Sequence, residues 1–506
     1  MRVEREILRE AGRLIVRHET HGRLLAEEHA RRSRRASAAP PSPRLARPPH
    51  WQLDRGFDPY LVRGSAGRIA HSIREALSKR SYRPRHPHAY DVAKPDGGVR
   101  TVCIYQVADS AVSKMLFDGV LKKNLPLMSA RSYAYRSDLS AQNAIQYIKS
   151  EFAGRSRLYV AEYDFSKYFD TISHEHIRRV LHDHFLLTAV EREAIEAFLE
   201  VGFIRGSYSS LDGPKREVGV PQGTSISLFL ANIAAWELDR ALEGEGVRFV
   251  RYADDTLIWS TDYARLCSAV EILHSYAAAI GASVNAAKSP GIHLLLPPGV
   301  EGEIETVHHV DYLGHRMGID CTQIKPAGEQ RVMAHVDQLL FNTLLREPLR
   351  GNQNPARLSH GVDRDYVTVI SRLRRYLYGD LSEKALRRYQ TRGAPLRRFK
   401  GLMSAYPLVD DLAALARLDE WILTRLWLAT RKRGRLLREA GAAELPVPHG
   451  LSAPQLRTLT AVSSRSGERI PLEVPSVQRI AGVIRDAAKH YGPARVGQPD
   501  VYEGYG

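Results

Sequence analysis

Residues Arg251-Tyr252-Ala253-Asp254-Asp255-Thr256-Leu257-Ile258-Trp259 place two β-prone arms on either side of adjacent carboxylates. That pattern predicts a hairpin presenting both acids at its tip. Unpaired aspartates there repel each other, and a divalent cation relieves the repulsion while using their hard oxygen ligands. Taken alone, Tyr-x-Asp-Asp also describes a solvated turn. A second segment, Tyr163-Asp164-Phe165-Ser166-Lys167-Tyr168-Phe169-Asp170, changes its meaning, because Asp164 lies near the end of an alternating strand. Strands are predicted over 158–165, 249–252 and 256–259. Ser173 reads as the start of a helix, with Glu175 in its first turn, and Asp170 as an N-cap or turn residue.

Other motifs surround these two in a fixed order. Val220-Pro221-Gln222-Gly223-Thr224-Ser225-Ile226-Ser227 runs into an apolar helix expected from Leu228 to Leu238. Downstream come Asn285-x-x-Lys288-Ser289 and Asp311-Tyr312-Leu313-Gly314. Upstream, Lys94-Pro95-Asp96-Gly97-Gly98-x-Arg100 places a turn before a strand expected from Val99 to Tyr105.

This ordered series resembles the reverse-transcriptase family, over about Tyr82 to Gly318. The resemblance implies an α+β right-hand polymerase. Fingers would occupy 51–150, an antiparallel-sheet palm 151–320 and a basic α-helical thumb 321–440, with helical extensions at 1–50 and 441–506. It implies catalytic roles for Asp164, Asp254, Asp255 and Lys288. Asp164, Phe165, Asp254 and Asp255 would hold two Mg²⁺ ions, roughly 3.5–4 Å apart in such sites. Lys94, Arg100, Phe165, Phe169, Gln222 and Gly223 would bind the incoming nucleotide. Cationic Lys94 and Arg100 suit a leaving group that gains charge, and Gly223 permits a close backbone approach. Lys288 resembles the lysine assigned to protonating pyrophosphate; its rival reading is a surface lysine capping a helix. Phe169, five residues after Asp164, matches the bulky aromatic that leaves no room for a 2′-hydroxyl and so selects deoxynucleotides.

The activity implied is RNA-templated DNA synthesis, with an RNA template, dNTPs and a DNA product as partners; homo-oligomerisation is compatible with the sequence. The wording of 222–227, the segment Arg375 to Leu381 and Gly401-Leu402-Met403-Ser404 look most like bacterial defence-associated reverse transcriptases. That implies copying of a dedicated non-coding RNA against phage. A group II intron maturase-like enzyme and a catalytically silent RNA-binding scaffold are the alternatives. An RNA hydroxyl is the default primer, with Tyr502 or Tyr505 in the Gly-rich tail as a protein-borne substitute.

Composition agrees with a nucleic-acid partner. The chain has 506 residues, 73 Lys+Arg against 57 Asp+Glu, and a net charge of +16. Residues 331–440 hold 22 Lys+Arg and 11 Asp+Glu, so most of the excess lies in one helical region. Within it Arg431-Lys432-Arg433-Gly434-Arg435 would grip a phosphate backbone or end a helix favourably. Trp421, Ile422, Leu426 and Trp427 fit the buried stripe of a helix. His174-x-His176 reads as a surface pair at a helix start. Val3, Ile7, Ala11, Leu14 and Ile15 recur at helical spacing, ahead of an Ala/Pro-rich linker reaching about Pro49. Cys103, Cys267 and Cys321 form no C-x-x-C pair and fit a reducing bacterial cytoplasm. No apolar run approaches the ~20 residues of a membrane span.

Overall fold

The computed structural model describes residues 2–93, 98–209, 213–359, 361–462 and 469–497. Lys94, Pro95, Asp96 and Gly97 of the upstream motif, and Tyr502 and Tyr505, lie outside them. The fold is α+β. Its strands in chain order are β1 (His88–Ala93), β2 (Val99–Ile104), β3 (Leu158–Tyr163), β4 (Phe165–Ser166), β5 (Arg248–Tyr252) and β6 (Asp255–Ser260). They continue with β7 (Ser283–Val284), β8 (Gly291–Leu295), β9 (Thr306–Val307), β10 (Val310–Tyr312), β11 (His315–Met317), β12 (Thr322–Ile324), β13 (Thr460–Val462) and β14 (Arg469–Pro471).

Among the described residues the central sheet has five strands in the order β5-β6-β3-β8-β9. The expected antiparallel pairing holds for the first three contacts, whereas β8 and β9 run parallel. Residues 249–252 and 256–259 are buried at every position, as befits strands covered on both faces. Tyr163 lies opposite Thr256, so the next residue, Asp164, emerges beside the hairpin tip. β10, β11 and β12 form a separate meander. Leu313 and Gly314 turn its first hairpin at φ of 44° and 79°, the left-handed geometry a two-residue turn favours.

The expected helix from Leu228 to Leu238 is two helices, Ser225–Ala234 and Trp236–Glu245, broken at Ala235. Side chains from elsewhere bind next to the break. The Tyr168 hydroxyl donates to the Ala231 carbonyl at 2.8 Å, and His176 Nε2 binds the Ala234 carbonyl at 2.7 Å. Both carbonyls lie in the last turn of the first helix. The first of these helices buries nearly all its side chains, Ile226, Phe229, Leu230 and Ile233 among them, as its all-round apolar sequence requires.

A second core begins at Ile324 and gathers the helices Pro326–Leu340, Arg364–Tyr378, Glu383–Arg392, Leu412–Glu439 and Val477–Tyr491. Leu456, Leu472, Ile480 and Ile484 belong to it. The described part of 441–506 is therefore packed within the helical body rather than appended to it. A third cluster lies at the start of the chain. Val3, Ile7 and Ala11 of the helix Arg2–Arg35 meet Val62, Ala66 and Ala70 of the helix Pro59–Ser78. Both stripes repeat every fourth residue, and the alanines let the axes approach closely. The far end of the first helix is tied to the helical body by Arg32–Glu347 at 3.2 Å and by Asn354, which donates to the Arg34 carbonyl.

Candidate active site

The acidic hairpin is held from beneath. Tyr252 pairs with Asp255, leaving Ala253-Asp254 as the turn, and Ala253 takes a φ of 61° that a non-glycine residue adopts at a cost. Arg251 supports it. This fully buried guanidinium donates to the Ala253 carbonyl at 2.8 Å and is neutralised by Asp239 at 2.6 Å and 2.7 Å. From the other side the Tyr312 hydroxyl donates to the Asp255 carbonyl at 3.0 Å. The tyrosine of Asp311-Tyr312-Leu313-Gly314 thus braces the acidic tip. The sequence reading assigned nothing to Arg251. A lone cation inside the buried run 249–252 was the available signal, since a buried charge must be paired.

Asn285-x-x-Lys288-Ser289 converges on Asp164. The Asn285 amide and the Lys288 ammonium each reach Asp164 Oδ2 at 3.2 Å, and the Asp164 N–H donates to Ser289 Oγ at 3.2 Å. Lys288 stands in a turn, so the helix-cap reading is set aside. Phe165 is buried and stacks on Tyr168 at 5.4 Å between centroids, which leaves only its main-chain carbonyl as a metal donor.

Charge is concentrated here. Burial, then Asp254, Asp164 and Glu162, push the Asp255 carboxyl up to about 8. Burial and Asp164 also raise Asp254. Among the described residues no three His, Cys, Asp or Glu side chains are drawn together so as to hold a metal ion by themselves. Mg²⁺ is usually bound through one or two carboxylates plus substrate phosphates, not by an all-protein cage. Repelling hard-oxygen donors without a closed cage fit that ion.

A cavity of about 340 Å³ is lined by Arg100, Phe169, Gln222 and Gly223, with Tyr90 and Tyr135. Arg100 Nε donates to Gln222 Oε1, and the Gln222 carbonyl accepts from the Cys103 N–H at 2.8 Å. A Cβ on Gly223 would stand 2.0 Å from the Cys103 carbonyl oxygen. Gly223 therefore permits close approach to β2, and its φ of 128° also favours glycine. Phe169 is fixed through its carbonyl, which accepts from the Val220 N–H at 2.6 Å.

Several side chains stand elsewhere than the sequence predicts. His174 and His176 are buried, and His174 Nε2 binds the Gly219 carbonyl at 2.7 Å; the pair is internal, not on the surface. Arg433 is buried, ion-paired to Asp363 at 2.7 Å and Asp365 at 2.8 Å, and so removed from any backbone-gripping surface. Asp170 is exposed in the short helix Tyr168–Thr171. Ile422 and Leu426 are buried, while Trp421 and Trp427 are half-buried. Among the described residues no helix is long and apolar enough to cross a membrane.

Residues 92–317 match the family model described as "Reverse transcriptase (RNA-dependent DNA polymerase)". The chain is 31% identical over 162 residues to the Putative COX1/OXI3 intron 1 protein of Saccharomyces cerevisiae, covering 30% of this chain and 18% of that protein. It is 27% identical over 180 residues to Protein YkfC of Escherichia coli, covering 34% of this chain and 44% of that protein. The chain thus spans less than half the length of these curated relatives. The solved telomerase of Candida tropicalis, in complex with a fragment of telomeric RNA, aligns at 11% identity and a TM-score of 0.38, over 76% of this chain and 68% of that one. The matched residues 92–317 run from β1 to the end of β11.

Proposed function

We propose that the chain is an RNA-templated DNA polymerase, with 51–150 as fingers, 151–320 as palm and the helices from 321 onward as thumb. One observation carries the reading: Asp164, just past the end of β3, lies beside the Asp254-Asp255 tip, where burial and the charges of Asp254 and Asp164 raise Asp255. Two Mg²⁺ ions bound by these carboxylates and the Phe165 carbonyl would stabilise the attacking and leaving oxygens of an in-line displacement. Arg100 stands where it can face the triphosphate. Lys288, ion-paired to Asp164, is placed to donate a proton to departing pyrophosphate. Phe169 closes the space a 2′-hydroxyl would need. The test is the double change Asp254→Asn and Asp255→Asn. It should abolish dNTP incorporation and leave RNA binding within a few fold, because it removes metal ligands and not the basic surface. Wild-type incorporation by the double variant would sink the assignment.

The proposed setting is bacterial anti-phage defence with a dedicated non-coding RNA as template, supported by the wording of 222–227 and 401–404. A group II intron maturase-like enzyme is the second reading, favoured by the likeness to a yeast intron protein. Sequencing the RNA that co-purifies separates them: a small non-coding RNA supports the first, intron RNA the second. The intact aspartate set speaks against a silent scaffold.

A further inference from the structure

The cavity beside the carboxylates has a lining residue that belongs to none of the polymerase motifs. Arg17 reaches it from the helix Arg2–Arg35. That helix buries Val3, Ile7, Ala11 and Ile15 against the body, and Arg17 follows two residues later, exposed. Other arginines on the same helix are engaged: Arg9 with Glu6, Arg13 with Glu10, Arg31 with Glu28 and Arg32 with Glu347. Arg17 makes no ion pair or hydrogen bond among the described residues. No aspartate or glutamate is among the residues lining the cavity, so Arg17 and Arg100 make its wall cationic.

We propose that Arg17 binds the phosphate groups of the incoming nucleotide, as a second arginine beside Arg100. This rests on the polymerase reading and extends it to the N-terminal helix. A guanidinium without a carboxylate partner keeps its donors available, and a charge-assisted bond to a phosphate oxygen is among the stronger hydrogen bonds. The cavity suits a nucleotide, at about 340 Å³ and with Phe169, Tyr90 and Tyr135 in its wall. The helix is held on the body by its own buried stripe, so the backbone that carries Arg17 is in place before the ligand arrives.

The test compares the full-length chain with Arg17→Ala and Arg17→Lys. The KM for dNTP should rise about tenfold in Arg17→Ala, the scale of one charged hydrogen bond, with partial recovery in Arg17→Lys. The Kd for primer–template should stay unchanged, because template phosphates are the other source of the same chemistry. A raised primer–template Kd with an unaltered KM for dNTP would overturn the proposal. Equilibrium dialysis with dATP and Mg²⁺ gives a readout independent of turnover. Equal dATP affinity for parent and Arg17→Ala would overturn the Arg17 assignment alone. Absence of dATP binding by the parent chain would overturn it together with the polymerase reading. Arg17 is exposed, so the substitution leaves the core intact.

Discussion

Arg251 couples stability to the site. Its charge is neutralised by Asp239 inside the core, and the same guanidinium fixes the Ala253 carbonyl at the acidic turn. Arg251→Met should destabilise the fold by about 3–5 kcal/mol, because Asp239 is left buried and unpaired. Arg251→Met with Asp239→Leu should recover much of the melting temperature, since a buried pair is replaced by apolar side chains. Incorporation should stay about 100-fold low in that double variant, because displaced catalytic groups lose rate in a well-folded protein. Full recovery of both quantities would reduce Arg251 to a packing role. Phe169 makes the complementary case, with a side chain that faces the cavity and a carbonyl held by Val220. Phe169→Val should lower the ratio of dNTP to NTP incorporation efficiency by about 10- to 100-fold, the range that small steric changes in a pocket produce. An unchanged ratio would return Phe169 to core packing. The carboxylates themselves were legible in the sequence because hairpin and strand-end signals are local. The Arg251–Asp239 pair was not, since helix and strand periodicity say nothing about which buried charges meet.

At the scale of elements, the segment that enters the helix Ser225–Ala234 is locked to β2 through backbone. Cys103 N–H binds the Gln222 carbonyl, and Gly223 lies against the Cys103 oxygen. Gly223→Ala should therefore part the two elements, costing about 1–3 kcal/mol for the strained position, and should raise the KM for dNTP by displacing Gln222. Gly244 is the control. It lies exposed in the helix Trp236–Glu245 with nothing within 4 Å of an added Cβ, so Gly244→Ala should stabilise by up to about 1 kcal/mol. Thermal unfolding of the two variants, read beside dNTP kinetics, checks both signs. The helix boundaries show where sequence reading stops. The apolar run after Ser227 announced a buried helix, but its last carbonyl, at Ala234, is met by His176, whose imidazole comes from another helix 58 residues away. The sequence predicts Gly223 as a close-approach glycine at the nucleotide, whereas its neighbour in the fold is the Cys103 carbonyl. That it meets β2 required the fold.

For the whole molecule, positive charge and stability separate within one helix. Leu412–Glu439 carries Leu415, Leu418, Ile422, Leu426, Arg433 and Leu437 on its buried side, so the one cation in that stripe is structural. Arg431, Lys432 and Arg435 are exposed, and Arg431 lies over the Trp427 ring at 4.9 Å. Arg431, Arg435 and Arg438 line one cleft with Trp427, a surface whose cations can hold a phosphate backbone. From the sequence these cations formed a single basic run. The burial of Arg433 follows from Asp363 and Asp365, about seventy residues earlier. Two variants divide the run. Neutralising Arg431, Lys432 and Arg435 together should leave the melting temperature unchanged and flatten the slope of log affinity against log salt by roughly 2 for single-stranded RNA, at about 0.7 per lost phosphate contact. Arg433→Met should leave that slope alone in the folded fraction while destabilising the helical body by about 3–5 kcal/mol, because Asp363 and Asp365 lose their buried partner. Salt titrations of RNA affinity and thermal melts on both variants decide the matter. Equal salt slopes for the triple variant and the parent would mean that this surface is only solvated, and the grip on nucleic acid would then have to be sought elsewhere on the protein.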